Sequence, residues 1–65
     1  MKQRLIHRPL GKLRTIAEQA ELWEVSERTI QRLIKSGALR FRRIGRLVRI
    51  ADADAEDFLQ RSRED

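Results

Sequence analysis

From Thr15 onward the chain carries a boundary signal every seven to eleven residues. Eleven residues make only about three turns of helix, so every element must be short, and long bundles or large sheets are excluded. Thr15 with Glu18 three residues later is a capping box, in which each side chain satisfies the other residue's free backbone N–H. Ile16, Ala17, Ala20 and Trp23 then recur on one face, which predicts a first helix over residues 16–23. Glu18, Glu21 and Glu24 lie off that face, and Glu18 sits at the positive end of the helix dipole. Ser26 is suited to cap a second helix, "ERTIQRLIKSG", which Gly37 ends by taking a left-handed conformation. At roughly 100° per residue, Ile30, Leu33 and Ile34 form one stripe of that helix and Arg28, Gln31, Arg32 and Lys35 the opposite one.

Beyond Gly37, β-branched and aromatic residues flank Gly45-Arg46 in "RFRRIGRLVRI", the pattern of a hairpin with glycine first in a type II′ turn. A two-residue turn pairs Ile44 with Leu47, Arg43 with Val48, Arg42 with Arg49 and Phe41 with Ile50, and directs Phe41 and Ile50 to the core. A three-residue loop would shift the pairing by one. Asp52 is placed to cap a last short helix, with Asp54, Glu56 and Asp57 near its positive end and Ala55, Phe58 and Leu59 as apolar contacts. Residues 1–14 contain Pro9 and Gly11 without a clean period and are expected to form a partly flexible basic arm. Residues 15–60 form one small α+β domain, and 61–65 a fraying end.

A domain of 65 residues buries only about 60% of the surface of its unfolded chain. The chain has no cysteine and only one histidine, His7, so neither disulfides nor a Cys/His zinc site can staple it. Stability must come from apolar packing, and Trp23, Phe41 and Phe58 are assigned to the core. No apolar run could span a bilayer or act as a secretory signal, which makes the cytoplasm the expected location.

The net charge of +5 is partitioned by sign along the chain. Residues 1–14 carry five bases and no acid, 15–27 four glutamates and no base, 28–49 eight bases and no acid, and 50–60 four acids and no base. Solubility alone predicts interspersed signs. Segregation predicts one strongly positive surface, the footprint of a polyanion binder. The hairpin register makes Arg42 and Arg49 like-charged neighbours, which destabilises an isolated sheet. Nucleic-acid phosphate suits the planar fork of arginine. Protection of a sheet edge is the alternative, although one or two lysines would serve for it.

Two helices joined by Glu24-Val25-Ser26 have the pattern of a helix-turn-helix, whose second helix enters the major groove. Such a pair also occurs as plain surface, and the arginine pattern is what favours nucleic acid. Taken in order, Ala20 and Leu22, "VSERTI" at Val25–Ile30, "LIKSGAL" at Leu33–Leu39, "RRIGR" at Arg42–Arg46, and Arg49-Ile50 resemble the excisionase family of small winged helix-turn-helix DNA-binding proteins. That family is related to the MerR-type domain and includes AlpA-like phage regulators. The resemblance covers residues 15–59. It implies a recognition helix in the major groove, here Glu27, Arg28, Thr29, Gln31, Arg32 and Lys35. It also implies a wing in the adjacent minor groove, here Arg42, Arg43, Gly45, Arg46 and Arg49, with Gly45-Arg46 at its tip. The implied activity is that of a recombination directionality factor. Such a protein bends duplex DNA at attachment sites so that a tyrosine integrase excises a mobile element, and its copies associate head-to-tail along the DNA. Two features depart from the pattern: Glu24 stands at the turn position where many helix-turn-helix proteins have glycine, and the basic arm before Thr15 is longer than the match explains.

Within this reading Arg42, Arg43, Arg49 and Lys35 contact phosphates. Arg28, Gln31 and Arg32 face base edges, arginine being suited to guanine and glutamine to adenine. Arg46 enters a narrow minor groove. About six neutralised phosphates give a slope of log affinity against log salt near −5. A small phage- or element-encoded transcriptional regulator is the alternative; MerR-type regulators add a dimerisation coil and an effector site, which a free-standing chain of this length is expected to lack. An RNA-binding basic protein is a third reading, and it calls for exposed aromatics where Phe41, Phe58 and Trp23 are assigned to the core. No nucleophile–base pair, metal cluster or phosphate-binding glycine loop is visible, so no enzyme activity, cofactor or metal is expected.

Overall fold

The computed structural model describes residues 9–62. In order they form β1 (Leu13–Arg14), α1 (Ile16–Trp23), α2 (Glu27–Lys35), β2 (Arg42–Ile44), β3 (Leu47–Ala51) and α3 (Asp52–Ser62). The strands make one antiparallel sheet in the order β1-β3-β2. The fold is a small α+β winged helix-turn-helix, as the sequence pattern predicts, with one strand more than expected.

Local chemistry sets the element boundaries. The Thr15 N–H donates to Glu18 Oε1 and the Glu18 N–H to Thr15 Oγ1, each at 3.0 Å, which completes the capping box of α1. The backbone bond from Thr15 holds the Glu18 carboxyl below its ordinary pKa. Helix α1 closes on Glu24, whose φ of 58° and ψ of 45° are left-handed. The N–H groups of Glu24 and Val25 donate to the Glu21 and Ala20 carbonyls at 3.1 and 2.9 Å. A residue bearing a side chain is strained there by about 1 kcal/mol, so glutamate occupies a position that favours glycine. Helix α2 starts on Ser26, whose Oγ accepts from the Thr29 N–H at 3.1 Å. It ends with Gly37 at φ 86°. There the Gly37 N–H donates to Ile34 O at 3.1 Å and the Ala38 N–H to Leu33 O at 3.0 Å, the paired bonds of a Schellman motif.

The core consists of Ala20, Ile30, Leu39, Ile50 and Ala55, with Ile16, Trp23, Leu33, Ile34 and Phe58 packed partly buried against it. Trp23 and Phe58 stack with ring centroids 5.5 Å apart, which ties α1 to α3. Three expectations fail here. Ala17 is exposed, and Gln19 is buried in its place. On a helical projection Gln19 lies about 40° from Trp23, and Ala17 about 60° beyond Ala20 on the opposite flank of the stripe, so position overrode polarity; neither the amide nitrogen nor the amide oxygen of Gln19 has a partner among the described residues. Phe41 is 37% exposed because β2 begins one residue later, whereas its expected partner Ile50 is fully buried. Leu59, expected as an apolar contact of α3, is 48% exposed.

The basic arm also differs from expectation. Its last residues, Leu13 and Arg14, pair with Ala51 and Ile50 as the third strand. The N–H groups of Asp52 and Ala53 donate to the Lys12 and Leu10 carbonyls at 3.0 Å each, so the arm satisfies donors at the start of α3. Asp52 is consequently the first residue of α3 rather than its cap. Its carboxylate accepts from the Lys12 N–H at 3.0 Å and from Arg14 Nη1. The Lys12 bond first, and then the Arg14 bond, lower its pKa. Gly11 passes so close that a Cβ there would lie 2.6 Å from the Asp52 Cβ, which explains a glycine at that crossing. The rest of the expected arm, residues 1–8 with His7, lies outside the described residues. At the other end residues 61 and 62 are helical rather than frayed. Arg61 holds Asp57 at 3.1 Å and donates to the Ala38 carbonyl at 2.9 Å. Residues 63–65 lie outside the described residues.

Candidate nucleic-acid interface

Helix α2 buries Ile30 completely and leaves Glu27, Arg28, Gln31, Arg32 and Lys35 exposed. The two faces follow from the 3.6-residue period, since Arg28, Arg32 and Lys35 fall opposite Ile30. Among the described residues none of these three cations pairs with a carboxylate. Thr29 is half-buried, and its hydroxyl bonds Ser26 Oγ at 3.0 Å, so it belongs to the cap as much as to the outer face.

The hairpin has the two-residue register: Arg42 opposite Arg49, Arg43 opposite Val48 and Ile44 opposite Leu47. Gly45 has a φ of 64° and Arg46 is not left-handed, as a type II′ turn requires. Burial declines steadily along β3, from Ile50 and Ala51 in the core through half-buried Val48 and Arg49 to exposed Leu47, and every residue of β2 is exposed. The hairpin therefore emerges from the body of the domain with Gly45-Arg46 outermost.

Its arginines are not equivalent, and two of them depart from expectation. Arg42 is turned inward: its Nε and Nη2 donate to the two carboxylate oxygens of Asp54 at 2.9 and 3.2 Å, and the Asp54 side chain is only 7% exposed. The repulsion foreseen between Arg42 and Arg49 is thus relieved by a carboxylate of α3, and Arg42 anchors the root of the hairpin. Arg49 is half-buried, donates to the Val48 carbonyl at 2.8 Å, and contributes to lowering the Glu18 pKa. Arg43 and Arg46 remain exposed without carboxylate partners among the described residues. The Arg43 guanidinium lies over the Phe41 ring, 5.8 Å from its centroid, a cation–π contact.

One basic residue was missed by the sequence reading. Arg40 is exposed, without a carboxylate partner among the described residues, and borders a cleft of about 300 Å³ between the end of α2 and the start of the hairpin. Ile34, Gly37, Leu39, Phe41 and Arg42 line the rest. Arg40 falls in neither helix nor strand, so no periodicity marked it; the acid-free run around it was the available signal. The three ion pairs of the described residues use Asp52, Asp54 and Asp57, and none of them draws on α2. The outer face of α2, Arg40, Arg43 and Arg46 therefore keep their charge, in side chains able to make charge-assisted bonds to phosphate and paired bonds to base edges.

These features define a winged helix-turn-helix domain with a basic second helix and a basic hairpin. A family model described as a helix-turn-helix domain matches residues 15–63, and the chain belongs to that family of DNA-binding, typically non-catalytic domains. No curated protein and no solved structure matches the chain. No helix among the described residues is long and apolar enough to cross a membrane. No group of three metal-ligating side chains occurs among the described residues.

Proposed function

We propose that the chain is an excisionase-type recombination directionality factor, which binds and bends duplex DNA at attachment sites and so favours integrase-mediated excision of a mobile element. The observation that carries this reading is the exposed face of α2, where Arg28, Gln31, Arg32 and Lys35 stand together with no carboxylate partner among the described residues. In the proposed complex α2 lies in the major groove with Arg28, Gln31 and Arg32 against base edges and Glu27 and Thr29 at the entering end. Lys35, Arg40 and Arg43 contact phosphates, Gly45-Arg46 enters the adjacent minor groove, and Arg42 and Arg49 brace the wing. The excision role is supported by the ordered resemblance across residues 15–59 to the excisionase family, which also includes AlpA-like regulators. The partners are duplex DNA, a tyrosine integrase and further copies of the chain along the duplex, and the location is the nucleoid.

Footprinting on DNA flanking the element's attachment site tests this. Arg32→Ala should weaken binding by about 1–3 kcal/mol and relax sequence preference, whereas Arg46→Ala should weaken binding most at A·T-rich wing sites. Protection of a promoter without any effect on excision would assign the regulator role instead. The exposed ring of Phe41 with Arg43 over it supplies one stacking platform for RNA, which the sequence reading had discounted. Single-stranded RNA displacing duplex DNA in competition would overturn the duplex reading.

A further inference from the structure

The tip of the hairpin carries two large aliphatic side chains that the fold leaves unused. Ile44 is 51% exposed and Leu47 is 52% exposed, they are paired across β2 and β3, and neither belongs to the core cluster. They flank the Gly45-Arg46 turn directly, at the end of a hairpin whose burial falls away toward that turn. Of the other exposed apolar side chains, Leu22 and Leu59 on helices and Val25 in the turn between α1 and α2 neighbour the acidic stretches, whereas Ile44 and Leu47 lie inside the acid-free segment 28–49. Edge and tip positions of hairpins ordinarily carry polar or charged side chains, which keep them soluble and unpaired. An aliphatic pair between Arg43 and Arg46 fits instead a surface that is anionic at its rim and apolar within.

We propose that Ile44 and Leu47 form an apolar wedge that seats against the sugar walls of the minor groove and opens a base step, making the wing tip the element that bends the DNA. This rests on the duplex-binding reading above and names the residues that deform the duplex. Side chains directly opposite on an antiparallel pair stand about 5 Å apart, and the minor groove is about 6 Å wide, so the pair occupies the groove only by spreading it. Arg46, at the outermost point, supplies the attraction to the negative potential of a narrow groove, and the two aliphatic side chains supply the apolar contact that holds it open. Pyrimidine–purine steps yield most easily, so the wedge selects sequence at base pairs that no side chain reads by hydrogen bonds.

The test uses the full chain and its Ile44→Thr/Leu47→Thr variant, in which threonine preserves strand propensity at positions outside the core. The probe is an end-labelled A·T-rich duplex of about 30 base pairs with a central TA step, with affinity and end-to-end energy transfer measured over a range of salt. The variant should fold as the parent by circular dichroism, bind about tenfold more weakly and bend the duplex less, because the remaining half of two aliphatic side chains is no longer withdrawn from water. Its salt slope should be unchanged, since no charge has been removed. Equal affinity, an unaltered bend, or a loss accompanied by a flatter salt slope overturns the wedge. Failure of the parent chain to bind the duplex overturns the functional reading itself.

Discussion

Arg42 and Asp54 set opposing demands on the wing, and separating them gives a quantitative test of how the hairpin is held. The Asp54 side chain is 7% exposed and that of Arg42 45%, and one guanidinium makes both bonds to the carboxylate, at 2.9 and 3.2 Å. Arg42→Ala leaves a nearly buried carboxylate without its partner, whereas Asp54→Ala leaves a guanidinium that reaches water. The first loss should therefore exceed the second. Full burial of the pair would put the cost of Arg42→Ala at about 3–5 kcal/mol, and the half-exposed arginine reduces it to about 2. Asp54→Ala should cost about 1 kcal/mol, and the double variant little more, which gives a coupling of about 1–2 kcal/mol. Urea denaturation followed by the fluorescence of Trp23, which stacks on Phe58 across α1 and α3, reads these values. In DNA binding Asp54→Ala should steepen the salt slope by about 0.9, because Arg42 is released toward phosphate. The reasoning is refuted if Arg42→Ala proves no more destabilising than Asp54→Ala, or if the two changes add to within about 0.3 kcal/mol.

Three further outcomes follow from the fold. Gln19→Met removes two buried amide atoms that lack partners among the described residues and should raise stability by about 1 kcal/mol; a lowered urea midpoint would contradict it. Glu24→Gly relieves the left-handed residue that closes α1 and should gain about 0.5–1 kcal/mol, read as a higher midpoint at unchanged m-value, and a loss would show that the strain lies elsewhere. Asp52 titrates below its unfolded value, so its bonds to Lys12 and Arg14 stabilise the fold above the ordinary carboxylate range, about pH 4, and that contribution fades as pH falls through the lowered value. An Asp52→Asn variant should therefore show a shallower loss of stability in acid than the parent; parallel acid limbs would remove Asp52 from the account.

What the sequence announces about this fold is what neighbours in the chain decide among themselves. The Thr15–Glu18 box, Ser26, Gly37 and Gly45 act within three or four residues of their own position, and each performs its expected role. Ile30 against Arg28, Arg32 and Lys35 likewise follows from a period that needs no tertiary information. Most of the departures are tertiary. Strand β1 has two residues and exists because β3 offers it an edge, too short a run to show alternation. Asp52 became a tie to the arm, and Arg42 a tie to Asp54 twelve residues away, because the partners meet only in the folded chain. Gln19 is the local exception, buried by its position about 40° from Trp23 around α1 despite its polarity. Of the basic surface, the outer face of α2 and the exposed tip of the hairpin were legible; the inward turn of Arg42 and the half-buried setting of Arg49 were not.

The most direct test of the central claim, that α2 and the wing present charge only a duplex neutralises, is the salt dependence of affinity for a labelled DNA duplex. With Arg42 tied to Asp54, about five phosphates are neutralised, and the plot of log affinity against log salt should fall with a slope near −4.5. A profile that stays flat from about 50 to 200 mM salt would contradict the account.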